Sequence, residues 1–311
     1  MFAAPPAVVA EVFAEIPVKY RRRAASSHWI DVQFPGQEIP SFLEGPCFDA
    51  AGNLWVVDIP WGRLFRISAA GEVSLEMEYD GHPNGLKFLA DGRALIADGQ
   101  NGLMLFDPAR GTIEPHVARD LLEPFLGLND LTVARSGDVW FTDMGLSGLQ
   151  NPNGKLYKLS ADGRLECMLD GLPSPNGLVL NKAETVLFLA CTRANAVWKC
   201  PIMPDGSLRK VGVFVQLSGG TSGPDGLAID EDDNLVVCHN GFGAVWVFSA
   251  IFGEPKLRIN SPRGIYTTNC AFGGPGNRSL FITESQSGTI LKVDLEVAGR
   301  RLHPPVLASS R

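Results

Sequence analysis

Apolar residues in this chain of 311 fall in short runs, broken every few positions by Gly, Pro, Asn or Asp. Leu54-Trp55-Val56-Val57-Asp58, Ala94-Leu95-Ile96-Ala97-Asp98, Val139-Trp140-Phe141-Thr142-Asp143, Val186-Leu187-Phe188-Leu189-Ala190, Leu235-Val236-Val237-Cys238 and Leu280-Phe281-Ile282-Thr283 all have strand length and turn-forming flanks. That pattern predicts buried strands rather than helices. Each run sits inside a larger recurring unit. The unit opens on a polar residue in a Gly/Pro-rich stretch expected to be a turn, followed by a short apolar strand. An Asp-Gly-type turn, the central strand, a Gly turn and a last strand then follow, as in Gly102-Leu103-Met104-Leu105-Phe106 or Gly288-Thr289-Ile290-Leu291-Lys292.

Successive openings, Glu44, Asn84, Asn129, Asn176, Asp225 and Asn269, are about 40 to 49 residues apart, the length of a four-stranded propeller blade. A blade alone cannot bury both faces, so six stacked radially form one core. The expectation is an all-β chain, a six-bladed β-propeller with four-stranded blades around a central metal-binding channel. It forms a single domain over 1–311, with 1–40 as N-terminal arm and closing segment. One chain end should supply a strand that closes the ring and removes a free sheet edge. Trp29–Phe34 is the expected segment.

Equivalent residues on the six axis-nearest strands form a ring, and here every member carries a side-chain oxygen. Converging oxygens with two formal negative charges suit a hard divalent cation. No His or Cys stands at these positions, which argues against a structural zinc site. A single Pro-Asn-Gly or Pro-Asp-Gly would be read as a turn. A turn, however, does not require an oxygen-bearing side chain in the same register in every unit.

Composition narrows the partners. A net charge of −7 argues against nucleic acid, and Arg21-Arg22-Arg23, the only basic cluster, reads as a solvated arm. No apolar run approaches the roughly 20 residues of a membrane span, and Met1–Pro6 lacks the order of a secretory signal. The cysteines form no Cys-x-x-Cys pair and several interrupt apolar strands, so they read as buried, reduced thiols and the expected location is cytoplasmic.

Glu44-Gly45-Pro46, Leu54–Ile59, Asn129-Asp130, Phe141-Thr142-Asp143, Pro175-Asn176-Gly177, Pro224-Asp225-Gly226 and Thr268–Gly274 together resemble the senescence marker protein/gluconolactonase family, which includes regucalcin, bacterial sugar lactonases and diisopropyl fluorophosphatase. The resemblance runs from Glu44 to about Val293. It implies a hydrolase opening lactone esters with one divalent metal ion, calcium first, with magnesium, manganese or zinc as alternatives. The family's three main ligands fall on Glu44, Asn176 and Asp225, and a further family asparagine falls on Asn129. Members resembling regucalcin carry an arginine two residues before that asparagine, where it holds sugar hydroxyls. Gly127 stands there in this chain, so a less polyhydroxylated ring than an aldonolactone is expected.

The mechanism implied is metal-assisted ester hydrolysis with Asp225 as catalytic base or water-orienter, direct attack by Asp225 being a variant. His82, Asn84, Trp61, Phe125 and Met144 are candidate substrate contacts, with packing roles as their alternative. His239 stands where fluorophosphatase-like members build a second calcium site; a strand-end histidine is the simpler reading. Asp58, Asp98 and Asp143 should hydrogen-bond turns or neighbouring blades. The partner is a small-molecule lactone or ester. The competing functions are a phosphotriesterase on the same ring and a non-catalytic calcium-binding or scaffold propeller.

Overall fold

In the computed structural model, residues 3–23 and 25–300 are described. Six small antiparallel sheets stand around one axis as a six-bladed β-propeller. Each blade runs outward from an inner strand: Leu43–Phe48, Pro83–Phe88, Leu128–Val133, Pro175–Leu180, Gly223–Ile229 and Thr267–Gly273 for blades 1 to 6. Consecutive inner strands are neighbours, and blade 6 returns to blade 1.

The central strands alternate in the way that stacking demands. In Leu54–Asp58, Trp55 and Val57 pack toward blade 2, whereas Leu54 and Val56 pack toward blade 6. Every gap between adjacent blades is filled in this manner by one hydrophobic cluster. Both faces of each sheet are therefore buried against neighbours, and no blade is an independent unit.

The N-terminus closes the ring. Glu11–Glu15 pairs antiparallel with Thr289–Asp294 and forms the outer strand of blade 6, while Ala7–Val9 adds a fifth, parallel strand to blade 5. The expected closing segment is thus corrected: His28–Gln33 is a short α-helix, capped by the Ser27 hydroxyl. The stretch 301–311 of the expected single domain lies outside the described residues.

The sequence units are also corrected at their openings. Pro83-Asn84-Gly85, Pro175-Asn176-Gly177 and Pro224-Asp225-Gly226 are not turns; they lie within the inner strands. In all six blades the pairing register slips there, between Glu44 and Cys47, Pro83 and Gly85, Leu128 and Leu131, Pro175 and Leu178, Pro224 and Leu227, and Thr267 and Cys270. Such a bulge releases a residue from the ladder and re-aims its side chain. The following glycine has its own reason: a Cβ on Gly177 would stand 2.4 Å from the carbonyl oxygen of Asp225. Inner strands converge so closely at the axis that only glycine fits.

All six cysteines are free; Cys191, Cys200, Cys238 and Cys270 are buried, but Cys167 is exposed and Cys47 half-buried, contrary to expectation. Among the described residues no helix is long and apolar enough to cross a membrane.

Candidate metal centre

The bulges bring five expected residues to one cavity of about 560 Å³: Glu44, Asn84, Asn129, Asn176 and Asp225. Hydroxyls fix the backbone that carries them. Thr142 Oγ1 donates to the Asn176 carbonyl (2.9 Å), and Thr192 Oγ1 donates to the Pro224 carbonyl (2.8 Å). Thr268 Oγ1 and Ser285 Oγ both donate to the Leu43 carbonyl, at 2.8 and 2.6 Å. Each is a blade-to-blade bond ending on or beside a ring residue. Ser174, two residues before Asn176, is held at φ 56° in the left-handed region, where its N–H meets Ser147 Oγ at 3.0 Å. A non-glycine residue persists there only when its surroundings enforce it.

Both carboxylates are buried, Glu44 at 3% and Asp225 at 4% exposure. Glu44 Oε2 accepts from Gly45 N–H (2.8 Å) and Asn269 Nδ2 (2.9 Å), so Oε1 keeps its lone pairs. Asp225 Oδ2 accepts from Asn240 Nδ2 at 2.7 Å. Burial, then the charges of Asp225 and Asp130, push the Glu44 carboxyl well above the usual carboxylate range. Burial likewise pushes Asp225 from 3.8 up to about 7; Asp130 adds to the rise, while Asn240, Asn176 and Arg193 oppose it. Two desolvated carboxylates that repel each other call for positive charge.

The amides supply the decisive observation. The Oδ1 atoms of Asn84, Asn129 and Asn176 are buried and have no hydrogen-bond partner among the described residues. Buried amide oxygens are almost always satisfied, and each orphan costs about 1–3 kcal/mol. Three orphaned oxygens beside two carboxylates form a donor set for a hard cation. No three His, Cys, Asp or Glu side chains cluster as a metal-binding group among the described residues. The donor set therefore depends on its amides, and it fits a divalent ion of the oxygen-seeking kind. A larger cavity, about 1200 Å³, opens where the inner strands end, around Phe48, Phe88, Val133 and Ile229. None of its lining atoms is an orphaned buried polar group, so its size carries no comparable chemistry.

The profile of the SMP-30/Gluconolactonase/LRE-like region matches residues 42–286. The chain belongs to this family. It is 32% identical over 297 residues to a gluconolactonase of Zymomonas mobilis subsp. mobilis, covering 83% of this chain and 81% of that one. To the diisopropyl-fluorophosphatase of Loligo vulgaris it is 26% identical, covering 85% and 92%. The calcium-binding protein regucalcin from Agrobacterium tumefaciens superposes with a TM-score of 0.78 at 24% identity, covering 98% of this chain and 99% of that one, and shares the fold.

Within this member of the family, the other expected residues separate. Met144 lines the cavity, with Sδ 3.6 Å from Asn129 Nδ2. Trp61 packs with Ile30, Phe42 and Ile59 beside the mouth and donates through Nε1 to the Pro40 carbonyl. Phe125 lies between blades 2 and 3, edge-on to Phe141 and Tyr157. His82 is half-buried off the cavity wall, its N–H bonded to Asp98 Oδ1. Asn269 is a clamp: Nδ2 donates to Glu44 and to Asp130 Oδ2 (3.3 Å), while Oδ1 accepts from Cys270 N–H. His239 is a buried strand-end histidine, stacked on Phe242 and hydrogen-bonded to Trp246 Nε1.

Asp58, Asp98 and Asp143 accept hydrogen bonds from loop N–H groups, Asp143 from Leu126 and Gly127. Gly127 has φ 148°, a conformation that L side chains rarely adopt, so an arginine there would be strained.

Sequence reasoning missed the upper wall. The His28–Gln33 helix lies over blade 1, and Trp29, Phe34, Phe42 and Tyr266 form one aromatic cluster at the mouth. Ser27 as cap with Asp31 in the first turn was the available signal for that helix. Arg193, Leu146 and Leu149 on the opposite arc carried no repeat signal at all.

Proposed function

We propose that this chain is a divalent-metal-dependent lactonase, a carboxylic ester hydrolase that opens a cyclic ester. The observation that carries the proposal is the convergence of orphaned Asn oxygens with the Glu44 and Asp225 carboxylates in one cavity. Glu44, Asn129, Asn176 and Asp225 would hold the ion, calcium first, and Asn84 adds a further oxygen to the same wall. The chemistry that a cation held there would supply is polarisation of the ester carbonyl and acidification of water. Asp225 would orient a water beside the ester carbonyl and take its proton as general base. Asn240 fixes the Asp225 carboxylate by its bond to Oδ2, and Asn269 fixes Glu44. Both are positioning residues. Gly127 leaves the usual sugar-hydroxyl contact unmade, and the aromatic mouth supports a less polyhydroxylated ring as substrate.

A phosphotriester hydrolase is the second reading, supported by the 26% identity to the Loligo vulgaris diisopropyl-fluorophosphatase over 92% of that protein. Both are tested by proton release from lactones and a dialkyl fluorophosphate, with and without chelator. The expected result is lactone turnover that disappears on chelation and in Asp225→Asn and Glu44→Gln. Undiminished turnover in chelated protein would overturn the mechanism. Metal binding without turnover on either class would leave a binding propeller.

A further inference from the structure

Around the mouth, the cavity has two unlike sides. Blade 1 carries Phe42 and Ile59, against which Trp29 of the helix packs. Blade 4 carries Arg193, in the short 3-10 turn Thr192–Ala194 between its second and third strands. In a closed ring of six, blades 1 and 4 are diametrically opposed, so the apolar wall and the guanidinium face each other across the ion-binding oxygens.

Arg193 is the only Lys or Arg lining this cavity among the described residues. Its exposed guanidinium forms no ion pair or hydrogen bond among them, although it lies within electrostatic reach of Asp225. Other arginines of the fold have fixed work: Arg63 pairs with Asp58, and Arg300 with Glu184. A divalent ion on Glu44 and Asp225 cancels their two charges. The guanidinium is then a positive, hydrogen-bonding handle with no partner among the described residues, and a planar fork of this kind matches a carboxylate.

We propose that the substrate is an amphiphilic lactone bearing a carboxylate, held by Arg193 over blade 4, with its apolar edge against Trp29 and Phe42 over blade 1. This rests on the lactonase reading and assigns Arg193 as its specificity-determining residue. The aromatic wall would not hold a ring substituted with hydroxyls on both edges, because those hydroxyls would be buried there without partners.

The test uses a matched pair: γ-butyrolactone bearing a γ-carboxylate, and the same ring bearing the carboxamide. Wild-type protein should favour the carboxylate by at least about tenfold in kcat/KM, expressed in KM. Arg193→Gln should bring the ratio close to one, Arg193→Lys should restore part of it, and Arg193→Glu should invert it. A ratio unchanged in Arg193→Gln would overturn the assignment, because a carboxylate bound directly by the ion would not sense that substitution.

Calorimetric binding of tetrahydrofuran carboxylate, which has no ester to hydrolyse, gives a second readout. Its affinity should fall about tenfold in Arg193→Gln, and an unaltered affinity would refute the contact. If neither lactone is hydrolysed while this probe still binds through Arg193, the lactonase reading fails and the anion site stands.

Discussion

Removing the metal should make the stability of this propeller fall as pH rises, and the structure supplies a magnitude. The Asp225 carboxyl titrates at about 7 in the folded chain against 3.8 as its ordinary value, because burial disfavours its charge. A folded-state pKa above the unfolded one means that the native chain keeps a proton which the unfolded chain has released. Its contribution is complete below about pH 4 and is lost progressively up to about pH 7. The difference corresponds to about 4 kcal/mol. At about 2.1 cal/mol/K of unfolding entropy per residue, or about 1.5 °C per kcal/mol for a chain of this size, the metal-free Tm should fall by roughly 6 °C across that window.

Glu44 is shifted in the same direction by burial and by its acidic neighbours, so it adds to the trend. Buried Asp58, Asp143 and Asp230 are also raised, chiefly by burial, so the Asp225 share must be isolated. The assay is scanning calorimetry of chelated wild type and Asp225→Asn between about pH 5 and 8, each repeated with calcium. Wild type should lose more stability than the variant as pH rises, and calcium should stabilise wild type most at the alkaline end. Identical pH slopes in the two chelated proteins would refute the reasoning, because an amide that cannot ionise would then behave like a carboxyl that can.

Two further outcomes concern the frame. Gly177→Ala places a Cβ 2.4 Å from the Asp225 carbonyl oxygen and 2.7 Å from Gly226 Cα; it should cost about 1–3 kcal/mol or more by urea unfolding and weaken calcium binding, since Asp225 moves with its backbone. Ile16→Ala empties a side chain that is 1% exposed where the closing strand meets blades 6 and 1. It should cost about 2–5 kcal/mol by the same measurement, and a loss well under 1 kcal/mol would show that the N-terminal strand does not secure the ring.

The blades were legible because stacking imposes one demand six times. A central strand buried on both faces must be apolar throughout, and Leu54–Val57 or Leu235–Cys238 can be read as such from a single sequence. The inner strands were less legible, since Pro-Asn-Gly and Pro-Asp-Gly carry turn chemistry. What overrides it is crowding at the axis, which requires the glycine for space and uses the bulge to turn the preceding side chain inward. A closing strand was expected, but its position was not legible, for a different reason. Glu11–Glu15 pairs with residues nearly the whole chain away, and its half-exposed pattern resembles an outer edge rather than a core strand. The aromatic and leucine residues of the short segments 28–34 and 146–149 are placed by packing against other loops, which no repeat encodes.

The ring itself shows how far register can carry a functional reading. Register predicts that six residues meet, but not which atom of an asparagine each will present. Asn269 is flanked by the Glu44 and Asp130 carboxylates, so its nitrogen faces them and its oxygen is spent on Cys270 N–H. Asn84, Asn129 and Asn176 leave their oxygens without donors. The same residue type at equivalent positions is thus a clamp in blade 6 and a candidate donor in blades 2, 3 and 4. The distinction follows from where the negative charge lies: amide nitrogens turn to carboxylates already in place, and amide oxygens remain where a cation must supply the balance.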